Sequence, residues 1–290
     1  VIDGSDVIKR YGAKTVLNGL SLQVEAGEVC ALAGRNGAGK TTFLRLVLGL
    51  ARPTGGHLRV LGTVPGVAHR RINYLSEDEA VYPHLSAADN IRVAVLARGA
   101  PAPKREVIQQ TLDTLALGQT GNKPARSFSL GMKRRLQLAM TSLVHEADLY
   151  ILDEPTNGLD INGLLWFRSF LGDLKDRGAA VLLATHSLDE LQDEVTHFAI
   201  LNDGRIAAKQ TIAVGEVQRG DIRIDVDTAD IGNVQRVFPQ ATLTGNSALV
   251  PGLDPAEVYR LLAANQIVPL AVDVRRRALS QLYLEALKDE

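Results

Sequence analysis

Gly34-Arg35-Asn36-Gly37-Ala38-Gly39-Lys40-Thr41 fills every fixed position of the pattern G-x-x-x-x-G-K-[ST]. Glycines at these positions let the backbone turn its N–H groups inward on a polyphosphate, and the N-terminus of a helix following the loop would add partial positive charge. Lys40 can reach the β and γ phosphates, and the Thr41 hydroxyl suits Mg²⁺. A second constellation, Leu149-Tyr150-Ile151-Leu152-Asp153-Glu154, sets two adjacent carboxylates behind an apolar run. Asp153 suits the magnesium shell, directly or through water, and Glu154 can polarise an attacking water.

Such residues work only if the fold delivers them to one place. Val29 to Ala33 is an unbroken apolar run ended by Gly34, which predicts a buried strand, and Phe43, Leu44, Leu46, Val47 and Leu50 recur at helical spacing after the loop. Leu149 to Leu152 and Ala179 to Ala184 are two more buried-strand candidates, separated by the helical pattern Leu164, Leu165, Phe167, Phe170, Leu171 and Leu174. Strand and helix in alternation predict a parallel α/β sheet with ligands at the C-terminal ends of its strands. Ser86 and Asp89 form a candidate capping pair for a helix running through Ile91 and Val95, and residues from about 78 to 138 read as a mostly helical insertion. Phe198 to Leu201, Asp203-Gly204 and Arg205 to Ala208 predict a hairpin.

The composition shifts at Asp221, where Ile222, Ile224 and Val226 alternate with charged residues. A short helix, a hairpin near Gly245-Asn246, a helix from Pro255 to Ala264 and a strand from Val268 to Val274 follow. The order β-α-β-β-α-β predicts a small split-βαβ domain of α+β type over 214–290, after a larger domain over 1–210. The 290 residues carry 32 Lys and Arg against 33 Asp and Glu, a net charge of −1 that argues against a dedicated nucleic-acid binder. Cys30 is the only cysteine, so no intrachain disulfide framework exists and a reducing compartment is expected. No stretch approaches the roughly 20 apolar residues of a membrane-spanning helix, and Val1 to Lys9 lacks the apolar core of a signal peptide.

A third constellation, Ser127-Phe128-Ser129-Leu130-Gly131-Met132-Lys133-Arg134-Arg135-Leu136, is a Ser-Gly turn feeding a helix. It precedes the Asp-Glu strand, which is followed by Asn157-Gly158-Leu159-Asp160 and, after the next strand, by His186. In this order the motifs resemble the nucleotide-binding domain of an ABC transporter, over about residues 1 to 210. The resemblance implies a P-loop NTPase fold, a RecA-like core with a helical insertion, and an ATPase that uses Mg²⁺ with ATP. It implies that Asn36, Gly37, Ala38, Gly39, Lys40, Thr41 and Thr42 hold the phosphates, and that Tyr11 stacks on adenine. Thr41, Asp153 and Glu77 would form the metal shell, with Glu77 standing where the family usually has glutamine. Glu154, His186 and Lys40 would be catalytic, His186 contacting the γ-phosphate and holding Glu154.

Ser129 and Gly131 resemble the signature motif that meets the γ-phosphate held by an opposite subunit, with Leu130 and Met132 in place of the usual glycine and glutamine. Asp160 would communicate between the two sites across a homo- or heterodimer, and it is also a suitable helix cap. Lys133, Arg134 and Arg135 read as a solvated face rather than a nucleic-acid patch. Transport would require separate polytopic permease subunits, docked in a groove beside Glu77 and the helix from Ser86 with Tyr82, Leu85 or Ile91 as contacts. The chain would then lie at the cytoplasmic face of the membrane as a peripheral subunit. The Ser-Leu-Gly-Met turn is similar to those of bacterial drug- and antibiotic-resistance exporters, and Ala278 to Leu284 is similar to the tail of bacitracin-type and multidrug exporter ATPases. A soluble ABC ATPase with a non-membrane partner, or an importer ATPase, is the competing expectation.

Overall fold

Val29–Ala33 is buried along its whole length because strands flank it on both edges and apolar layers cover both faces. A computed structural model of the chain describes residues 1–78, 80–144, 147–186, 188–191, 193–211, 221–251, 253 and 255–275. The chain opens with β1 (Ile2–Tyr11), β2 (Lys14–Val24), the buried β3 (Val29–Ala33), α1 (Lys40–Val47), β4 (Gly55–Val60) and β5 (Ile72–Leu75). Helices α2 (Ala87–Ala97), α3 (Arg105–Thr114) and α4 (Leu130–Ser142) follow with no strand between them. Then come β6 (Leu149–Asp153), α5 (Ile161–Asp176), β7 (Ala180–Thr185), β8 (His197–Asn202) and β9 (Arg205–Thr211).

A central sheet runs in the order β5-β6-β7-β3-β8-β9. Its first five strands are parallel, and β9 returns antiparallel to β8 through the Asp203-Gly204 turn, where both residues have positive φ. A second, three-stranded antiparallel sheet, β2-β1-β4, is one that the hydrophobic pattern of the sequence does not announce. Register shifts between Gly4 and Val7 and between Lys9 and Arg10 break the alternation that would have announced it. The two sheets share one core, in which Ile2, Leu17, Leu20 and Leu22 join Leu32, Phe43, Leu46 and Leu182.

The helical insertion has a core of its own, built from Ile91, Val95, Ile108, Leu112, Leu136 and Ala139. Ser86 caps α2 by accepting from the Asp89 N–H at 3.1 Å. Ile91 is 0% exposed within this core and is therefore no docking contact, because the helical repeat turns it inward. Tyr82, at 55%, is exposed.

The chain divides into two compact units, Val1–Thr211 and Ile212–Glu285. In the second unit β10 (Asp221–Asp225), α6 (Ile231–Val237), β11 (Thr242–Thr244), β12 (Ser247–Val250), α7 (Pro255–Ala264) and β13 (Ala271–Arg275) form an antiparallel sheet ordered β11-β12-β10-β13. Ile222, Ile224, Ala248 and Val250 share a core with Val234 and Val258 of the helices. The last strand starts at Ala271 rather than Val268, and Val268 and Leu270 are exposed ahead of it. The Ala278 to Leu284 stretch lies outside the described residues.

Candidate nucleotide site

Four strands that are neighbours in the central sheet, β5, β6, β7 and β3, end at one edge, and each is followed by a candidate residue. Ser76-Glu77 follows β5, Asp153 closes β6 ahead of Glu154, His186 follows β7, and Gly34 follows β3. Residues up to 152 positions apart in sequence are thus delivered to a single edge by parallel pairing, Ala33 lying opposite Thr185 and Asp153 opposite Ala184.

The phosphate loop joins β3 to α1. Gly34 has no room for a side chain, since a Cβ there would lie 2.6 Å from the Leu201 carbonyl oxygen. Gly39 has φ 115°, a backbone that L side chains rarely adopt, and it lies against Val16 and Leu17 of β2. The hairpin that carries Tyr11 at the end of β1 therefore abuts the loop. Tyr11 is half exposed, with the Lys9 ammonium 4.7 Å above its ring. Asn36 and Gly37 are exposed, Ala38, Thr41 and Thr42 are half-buried, and Lys40 is buried. Gly39 supplies no side-chain cap to α1, so the helix's first N–H groups are left for an anion.

Lys40 donates to the Gly34 carbonyl at 2.6 Å, and its Nζ lies 3.4 Å from Glu154 Oε1. The other carboxylate oxygen, Oε2, accepts from the His186 backbone N–H at 3.3 Å and lies 2.8 Å from His186 Nδ1. An ionised carboxylate only accepts, so this contact sets the ring proton on Nδ1. Glu154 itself has φ 48°, the left-handed region, which costs a residue with a side chain about 1–2 kcal/mol. Its N–H is nevertheless tied to the Ala184 carbonyl at 2.8 Å.

Asp153 is buried, and its Oδ1 has no hydrogen-bond partner among the described residues. Burial, reinforced by the charges of Glu77 and Glu154, pushes its carboxyl up to about 6. An orphaned buried carboxylate oxygen is what a cation would satisfy, so the chemistry of Asp153 fits a Mg²⁺ ligand. Among the described residues no group of three or more His, Cys, Asp or Glu could hold a metal ion by itself. Glu77 is exposed in the loop after β5, near enough for its charge to act on Asp153.

Ser129, Gly131 and Asp160 are placed elsewhere. Ser129 is exposed and caps α4, accepting from the Met132 N–H at 3.3 Å, and Leu130 beside it is 65% exposed. Helix α4 packs chiefly on α2, α3, α5 and β5. Gly131 backs onto the loop after β6, since a Cβ on it would come within 2.9 Å of the Gly158 carbonyl oxygen. Asp160 is exposed and caps α5, accepting from the Gly163 N–H at 3.0 Å.

The basic run on α4 is not a uniform solvated face, because Arg134 is 4% exposed. Its guanidinium donates to the carbonyls of Asp153 (2.8 Å), Glu154 (2.6 Å), Pro155 (3.3 Å) and Ser76 (2.7 Å), and to Gln137 Oε1 (3.2 Å). Burial draws its pKa down, while the charges of Asp153, Glu77 and Glu154 oppose that pull. Gln137 donates in turn to the Asp78 carbonyl at 2.6 Å. The i, i+3 spacing of these two polar residues is the only hint the sequence held. Beside them a cleft of about 370 Å³ is lined by Tyr74, Ser76, Tyr82, Ala97, Arg98 and Gln137.

Compared with known proteins, residues 17–157 match the family model described as ABC transporter. The bacitracin transport ATP-binding protein BcrA of Enterococcus faecalis is 33% identical over 73% of this chain and 70% of its own length. The daunorubicin resistance ATP-binding protein DrrA3 of Streptomyces coeruleorubidus is 32% identical over 100% of this chain and 96% of its own. Among solved structures, an ATP-binding subunit of an ABC transporter aligns with a TM-score of 0.66 and 26% identity, covering 91% of this chain and 99% of that one.

Proposed function

The chain belongs to the family of ABC transporter ATP-binding subunits, and from that premise we propose that it powers a drug or antibiotic exporter by hydrolysing Mg²⁺·ATP through separate membrane subunits. The export reading is supported by relatives named for bacitracin transport and daunorubicin resistance, one of which aligns with the chain from end to end. The observation that carries the chemistry is the convergence of Lys40 and His186 on the two oxygens of Glu154, at the edge where the phosphate loop also ends.

The loop N–H groups and Lys40 bind the polyphosphate, and Tyr11 offers its half-exposed ring to the base. Thr41 and Asp153 would hold Mg²⁺, with Glu77 beside them, and the ion would supply charge neutralisation to the polyphosphate. Glu154 orients a water towards the γ-phosphate and takes up its proton. His186 keeps the carboxylate aimed by donating to it from Nδ1. Ser129, which is exposed, and Gly131, which is half-buried against the loop after β6, serve the site of a second subunit, and Asp160 sits at the same seam. Among the described residues no helix is long and apolar enough to cross a membrane. On this reading the chain works as a peripheral subunit on the cytoplasmic face, with the cleft around Tyr82 receiving the permease.

The test is Glu154→Gln in the purified chain. It retains ATP at near-normal affinity and loses most of its turnover, on the order of a hundredfold or more. Near-normal hydrolysis by this variant would overturn the assignment of Glu154.

A further inference from the structure

We propose that Arg134 is a positioning residue for hydrolysis, fixing the main chain that carries Glu154 and lashing it to the loop that carries Glu77. The inference rests on the ATPase reading above.

A guanidinium has five N–H bonds in a rigid planar fork, and Arg134 has five acceptors within 3.3 Å. Three of them are consecutive carbonyls, Asp153, Glu154 and Pro155, on the short stretch where the chain leaves β6. That stretch includes the left-handed φ of Glu154, a conformation that persists only where the surroundings over-determine it. The bond to the Glu154 carbonyl and the Ala184 bond to its N–H clamp the residue from both sides of its Cα. Its side chain is thereby aimed at Lys40 and His186.

The fourth carbonyl belongs to Ser76, immediately before Glu77. The fifth acceptor, Gln137, holds the Asp78 carbonyl, so α4 grips the loop on either side of Glu77. Ser76 and Gln137 also line the cleft beside Tyr82. A displacement of that loop therefore pulls on the same fork that sets Glu154. Lysine cannot replace the fork, since a single ammonium has three donors and no planar geometry.

The experiment compares steady-state ATP hydrolysis of the full chain with and without Arg134→Lys, in the native and the Glu154→Gln backgrounds. Thermal unfolding establishes that each variant is folded. In the native background kcat falls at least tenfold with KM within twofold. In the Glu154→Gln background the same change causes no further loss, because the carboxylate it positions is already gone. An unchanged kcat, a KM that rises as kcat falls, or an equal fractional loss in both backgrounds would each overturn the proposal. If Arg134→Lys does not fold, Gln137→Leu decides: it leaves the guanidinium and its bond to Ser76 in place but removes one of its five acceptors and releases the Asp78 carbonyl on the far side of Glu77, lowering kcat two- to tenfold at constant KM, and no effect refutes the inference. A native chain without ATP turnover would instead count against the functional reading itself.

Discussion

His186 holds Glu154 by two nitrogens at once, the backbone N–H at 3.3 Å and ring Nδ1 at 2.8 Å, both on the same carboxylate oxygen. Only the ring contact depends on the side chain. His186→Ala therefore leaves the backbone bond and ATP binding intact while kcat drops on the order of a hundredfold. Steady-state kinetics beside a nucleotide titration measure the two separately, and a variant whose affinity falls with its rate would show that His186 binds rather than aims.

Asp153 destabilises the nucleotide-free chain at neutral pH. Its carboxyl is raised in the folded state to about 6, so between the ordinary carboxylate range and that value the folded chain holds the extra proton and stability falls as pH rises. Asp153→Asn removes this burden. It should stabilise the apo chain at pH 7.5 by about 2–3 kcal/mol, an advantage that shrinks as the pH is lowered towards 4. Denaturant titrations at the two pH values read the difference, and a constant gap would mean that Asp153 is ionised freely in the folded state.

Gly131→Ala and Leu130→Ala are neighbours with opposite expectations. A methyl on Gly131 meets the Gly158 carbonyl oxygen at 2.9 Å and forces the start of α4 away from the loop after β6, at a cost of about 1–3 kcal/mol. Leu130 projects into solvent and loses little, within about 0.5 kcal/mol. Equal unfolding midpoints for both variants would be incompatible with the packing of the α4 start on the loop after β6.

Cys30 is fully buried, and desolvation pushes its thiol up to about 12. The thiolate is the reactive form, so the folded chain should consume no thiol reagent at pH 8, and one equivalent per chain after denaturation. Rapid labelling without denaturant would contradict the burial of β3.

Tyr82→Glu puts a charge in the cleft without touching the strand ends. Co-purification with a membrane subunit should be lost while basal ATP hydrolysis by the isolated chain stays within twofold. Loss of hydrolysis alone would show that the cleft serves the chemistry rather than docking.

Much of the site could be read directly from residue order. The phosphate loop between an apolar run and a 3.6-residue pattern, and the Asp153-Glu154 pair behind Leu149 to Leu152, are local signals, and both lie where the strand ends require. The antiparallel β2-β1-β4 sheet was not legible, because its pairing is non-local and its register slips. Arg134 escaped for a related reason. Its partners lie 19 to 58 positions away except for Gln137, and charge alone says nothing of what a folded chain will lay across it.

The helices of the insertion bury Ile91, Ile108 and Leu136 among themselves, while the sheets keep a separate apolar interior. What closes the seam between them around Arg134 is guanidinium, amide and carbonyl. Hydrogen-bonding groups can trade partners with water at a net cost near 1 kcal/mol apiece, far less than baring either greasy interior. Tilting one body on the other would break these polar bonds and disturb the packing of Trp166, on α5, against the insertion's core. Amide exchange should find the two bodies opening independently, and a single cooperative opening would show them to be welded.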